Sequence, residues 1–167
     1  MQNSTVRLCT SASRLQEVRH TREAANCPYQ CSLDLRPDTQ FVTMLNGYRE
    51  SGGLARAQEV VALFKRCQGP TVATLSQWIV EREVICFEWG EQAWLPMFQF
   101  DRLNLQPDTK LKPVFSELAG SFGQWELASW FAEPNPWLES RAPVDMVLLN
   151  MAAVLNAARA ERFIAQV

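Results

Sequence analysis

VICFEWGEQAWLPMFQF, residues 84–100, decides the fold class of this chain. β-branched and aromatic side chains crowd both sides of Gly90. That composition favours extended backbone, and the glycine supplies the reversal, so the stretch reads as a β-hairpin. Pro96 has no amide hydrogen to give a ladder, so it ends the second strand or holds it at an edge. After residue 37 the rest of the chain reads as helices and their connections. The expected class is mainly α: a helical bundle with one small antiparallel β-hairpin, made of a winged helix-turn-helix-like part and a helical C-terminal domain.

Working toward the N-terminus, TVATLSQWIVERE (71–83) spaces Val72, Leu75, Trp78 and Ile79 as one helical face. LARAQEVVALFKR (54–66) lines Leu54, Ala57, Val60, Val61 and Phe64 on one side. Lys65 and Arg66 suit its C-terminal end, where the helix dipole is negative. DTQFVTMLNGYRE (38–50) opens on an N-cap candidate, Asp38, and places Phe41, Met44, Leu45 and Tyr48 at helical spacing. Residues 1–36 are polar, with a thin apolar face in SRLQEVRHTREAAN; they read as a mobile or loosely docked arm. Pro28 and Pro37 bracket a segment that reads as non-helical.

Toward the C-terminus, Leu111, Val114, Phe115 and Leu118 recur at i, i+3, i+4 and i+7, with Pro113 near the helix start. Gln124–Ala132 forms a short helix. Pro143 opens the last one, whose stripe of Val147, Leu148, Met151, Val154, Leu155 and Ala158 runs to Arg162. Asn150 interrupts that stripe and caps a second piece. The organisation is an arm (1–36), a helix-turn-helix-like region with the hairpin (37–100) and a helical domain (101–167).

Composition bounds the function. The chain has 167 residues, 47% of them apolar, enough for one cored domain. No apolar run approaches the roughly 18–20 residues of a membrane span. The first residues show no secretory stretch, so the expected compartment is the cytoplasm. The five cysteines (9, 27, 31, 67 and 86) are odd in number and irregular in spacing, which argues against a disulfide framework. Cys27 and Cys31, with His20 nearby, lack the paired spacing of a zinc site, so neither metal nor cofactor is expected. Residues 1–36 carry five bases and three acids (+2), 37–100 five and seven (−2), and 101–167 six and eight (−2). No segment has the basic excess of a nucleic-acid binder.

Enzyme motifs are missing: there is no Gly-rich phosphate loop, HExxH or GxSxG, and the one histidine lies in the arm. Glu81, Glu83, Glu88 and Glu91 read as a solvated face. Two constellations remain. The helix–helix–hairpin order over 54–100 matches a winged helix-turn-helix, whose second helix would offer Thr71, Thr74, Ser76, Gln77 and Arg82 to DNA. The plainer reading has Trp78 and Ile79 packing a core that the hairpin covers. The other constellation is EPNPWLESRAP, 133–143. Pro134 and Pro136 stiffen the backbone about Asn135, and Trp137, Leu138 and Arg141 follow; Trp and Arg are enriched at interface hot spots. The plainer reading is a tight helix connection with Trp137 in the core.

WLPMFQFD (94–101), WELASWFAEPNPWLESRAPVDM (125–146) and AAVLNAARAERF (152–163) together resemble the Xre/MbcA/ParS-type antitoxins, most closely their toxin-binding C-terminal domain. The matching positions are Pro96, Phe98, Gln99 and Phe100, then Trp130, Pro134, Asn135, Leu138, Arg141 and Pro143. The resemblance spans about residues 54–165. It implies a protein that binds and neutralises a partner toxin of the NAD-degrading RES type, forms a homo-oligomer and, as in many members, represses its own operon. The expected partner surface is Asn135, Trp137, Leu138, Arg141, Arg159 and Arg162. The chain departs from the family at Glu139 and Ser140, where family loops carry Gly, and in a helix-turn-helix that is not basic. The competing readings are a DNA-binding transcriptional regulator and, last, an enzyme with an unmarked site.

Overall fold

The computed structural model describes residues 35–165, so His20, Cys27, Cys31 and nearly all of the expected arm lie outside the described residues. Within that range the chain is mainly helical with a small three-stranded antiparallel sheet. Helix α1 (Leu35–Gly47) starts earlier than Asp38, and Pro37 sits in its first turn, where a missing amide hydrogen costs nothing.

Residues 54–56, expected to open a helix, instead form strand β1 (Leu54–Arg56). The helix, α2, begins at Ala57 and ends at Arg66; the Glu59 carboxylate accepts the Arg56 amide hydrogen at 2.8 Å and fixes that start. Helix α3 (Val72–Val80) follows, with the Thr71 hydroxyl accepting from the Thr74 amide as its N-cap. The hairpin lies where the sequence puts it: β2 (Phe87–Trp89) and β3 (Gln92–Pro96) pair Phe87 with Trp94 and Trp89 with Gln92. Gly90 and Glu91 form the two-residue loop, both with positive φ, as a twist-matched hairpin turn requires. The sheet order is β1-β3-β2, so β1 takes the open edge of β3, pairing Leu54 with Pro96. The single hairpin of the sequence reading thus becomes a three-stranded sheet.

That sheet separates two apolar clusters. On one side Val60, Phe64, Leu75, Trp78, Val84, Leu95, Phe100 and Leu105 pack together. Phe64 meets Trp78 and Phe100 edge-on, at ring distances of 6.3 and 5.8 Å. The other cluster joins Phe41 and Met44 of α1, and Tyr48 just after it, to Phe87 of the sheet and to the C-terminal helices α4 (Lys112–Leu118), α5 (Gln124–Ala132), α6 (Pro143–Met146) and α7 (Met151–Ala165). Helix α1, grouped by sequence with residues 37–100, therefore packs on α5. The Tyr48 hydroxyl donates to the Ala128 carbonyl at 2.6 Å.

Asn150 acts as the sequence suggests: its side-chain oxygen accepts from the Ala153 amide at 3.1 Å and starts α7. The break before it changes the helical phase. Val147 stays buried, but Leu148, expected in the core stripe, is 89% exposed. Among the described residues no helix is long and apolar enough to cross a membrane.

Candidate partner-binding surface

The connection between α5 and α6 is closed around one residue. Asn135 donates its backbone N–H to the Arg141 carbonyl, and its own carbonyl accepts from Leu138 and Ser140, all at 3.0 Å. Its side-chain oxygen accepts from the Trp137 amide at 2.9 Å, and its side-chain nitrogen reaches Glu161 of α7 at 3.4 Å. With a proline on each side and every polar group engaged, Asn135 is a locked pivot. It is 3% exposed, as is Leu138. Both were expected at a partner surface; burial corrects that. They shape the loop and have no face left for a partner.

Trp137 does the opposite. Pro136–Leu138 form one 3-10 turn, which sends Leu138 into the core and leaves Trp137 57% exposed. The plainer sequence reading, with Trp137 in the core, is set aside on this observation. Arg141 is also exposed, its guanidinium 3.8 Å from the Met146 sulfur. Glu139 and Ser140 have φ of 55° and 62°, left-handed backbone that disfavours side chains. The loop thus keeps a conformation suited to glycine without having glycine. Glu139→Gly and Ser140→Gly are each expected to stabilise the fold by about 0.5–1 kcal/mol, because the lost Cβ strain exceeds the added chain entropy. Thermal unfolding checks this; a drop in midpoint for both variants would show the loop unstrained.

Arg159 and Arg162 are tied down. The Glu117 carboxylate meets Arg159 Nε at 3.1 Å and Arg162 Nη1 at 2.5 Å, so one acid on α4 clamps two bases of α7. Their side chains remain 54% and 47% exposed, so each keeps a solvent face. Just beyond, Phe163 and Ile164 are exposed at 71% and 57%.

Four of the residues offered for DNA contact lie at the start of or within α3, and Arg82 lies beyond it. Thr71 and Thr74 bond to each other at the start of α3, Ser76 is exposed, and Gln77 donates to Glu81 at 2.9 Å. Arg82 lies past the end of α3 and donates to the Ala119 carbonyl at 2.8 Å. Helix α3 itself contains no Lys or Arg, and Glu88 and Glu91 stand exposed on the hairpin.

Among the described residues no group of His, Cys, Asp and Glu is placed to hold a metal ion. Burial, and then the charge of Glu88, push the Cys86 thiol up from its ordinary value. Compared with known protein families, curated proteins and solved structures, the chain has no match.

Proposed function

We propose that this chain is an antitoxin-like protein-binding module, which binds and neutralises a partner toxin of the NAD-degrading RES type. The observation that carries the reading is Trp137: a large aromatic side chain held in solvent by a loop whose every turn is fixed. An ordered aromatic loses little entropy when a partner covers it, so it suits an interface anchor. Arg141 adds an exposed guanidinium four residues on. The resemblance over residues 94–146 gives the partner its class.

The test is direct. The chain is added to the purified product of a neighbouring gene with NAD-degrading activity, and NAD loss is followed. Stoichiometric inhibition is expected. Trp137→Ala should weaken the complex about tenfold, or ~1.4 kcal/mol, with an unchanged melting temperature. Equal inhibition by the variant would remove Trp137 from the interface, and no inhibition by the wild type would sink the toxin reading.

A DNA-binding regulator is the second reading, favoured by the succession of α2, α3 and the hairpin. The lack of bases on α3 and the two acids on the hairpin weigh against it, since phosphate contacts supply much of DNA affinity. A gel shift whose affinity fell steeply with salt would revive it.

A further inference from the structure

An apolar groove runs between residues 97–103, which follow β3, and the turn after α6. Its two lobes, of about 580 and 320 Å³, share Ser51, Met97, Phe100, Asp101, Arg102 and Leu103. Leu103 and Leu148 line it and are 96% and 89% exposed. Side chains so apolar and so bare, beside a cleft, mark a surface awaiting cover. The loop pivoting on Asn135 leads directly into α6, and Val144, Asp145, Val147 and Leu148 from α6 and the turn after it form one wall.

The charge at the rim selects the occupant. Glu50, Asp101, Asp108 and Asp145 line the larger lobe against one base, Arg102, for a net charge of −3. Among the described residues none of these four carboxylates is in an ion pair. An acidic segment would be repelled and a basic one attracted. A second copy of the chain suits less well: the arginines beside its exposed Phe163 and Ile164 are already held by Glu117. We propose that this groove receives an apolar helical segment of a partner protein, flanked by Lys or Arg. Such a segment would set its i, i+3 or i+4, and i+7 side chains on Met97, Leu103 and Leu148. The inference rests on the protein-binding reading but does not need the partner to be a toxin.

The test selects randomised peptides of about 16 residues, displayed on phage, against the full chain, with Leu103→Ser/Leu148→Ser as the counter-target. Both leucines are exposed, so the variant keeps its fold. Expected winners are net positive, with apolar residues at helical spacing. As labelled synthetic peptides they should lose about tenfold in affinity on the double-serine variant. They should lose several-fold on Glu50→Gln/Asp145→Asn, and between about 0.05 and 0.3 M salt. No enrichment over the counter-target, or winners that are neutral or acidic, would overturn the proposal. So would sedimentation showing self-association that the double-serine variant abolishes, because a second copy would then hold the groove. The two readings fail separately. A toxin complex that depends on Trp137 but ignores Leu103 and Leu148 removes the groove alone. Groove-dependent peptide binding with no NAD-degrading partner removes the toxin alone.

Discussion

Gln99→Leu is expected to lower stability by about 2–5 kcal/mol. Gln99 is 1% exposed, and its amide does the work of a missing strand. Its oxygen accepts from the Ile85 amide at 2.6 Å, and its nitrogen donates to the Ile85 carbonyl at 2.9 Å. Ile85 is itself fully buried and precedes β2, so it has no ladder partner of its own. Leucine has nearly the same volume but leaves both backbone groups orphaned. Each unsatisfied buried group costs about 1–3 kcal/mol, and leucine's better transfer into an apolar interior recovers only part of the sum. Against a typical total of about 5–15 kcal/mol, that is a severe loss. Gln99→Glu should do at least as badly, since a carboxylate cannot donate to the Ile85 carbonyl and brings a charge into the core. Urea unfolding measures both, with the exposed Gln92→Leu as a control expected to sit near wild type. A Gln99→Leu midpoint close to wild type would mean that the Gln99 amide does not hold the Ile85 backbone in place.

Gly47→Leu is the second large effect, expected at about 3 kcal/mol. Gly47 ends α1 where that helix crosses α5. A Cβ there would lie 2.6 Å from the Ala132 carbonyl oxygen and 3.0 Å from the Ala132 Cβ. Backbone cannot rotate away as a side-chain tip can, so the helices have to separate. Alanine improves helix propensity by about 1 kcal/mol, which offsets part of the clash, so Gly47→Ala should cost less. Adding Ala132→Gly should not rescue Gly47→Ala, because the closest contact is to the carbonyl oxygen. Rescue by that second change would show that the helices meet through side chains.

Local signals account for what was legible in the sequence. The hairpin followed from β-branched and aromatic residues about Gly90, and Gln124–Ala132 from helical spacing. The cap at Asn150 also came through, because an Asx N-cap is a local device. Strand β1 was hidden since Leu54 continues the apolar period of α2; only pairing with the far edge of β3 makes residues 54–56 extended. Leu148 was misplaced for a related reason: the turn at 147–149 resets the helical phase, which a continuous stripe does not reveal. Asn135 is polar between two prolines and reads as surface. Its burial comes from hydrogen bonds that close the loop upon it. Trp137 was ambiguous, because exposure depends on which way a single 3-10 turn faces. The groove draws on residues near 50, 100 and 145, so no one stretch announces it.

In the proposed function the exposed face of this locked loop meets another protein. Native mass spectrometry of the tagged chain captured from its own cells, after nuclease treatment, tests it most directly. A stoichiometric complex with a second protein is expected, and it is lost from the Trp137→Ala/Arg141→Glu variant. Recovery of the chain by itself, or a complex that ignores both substitutions, would contradict it.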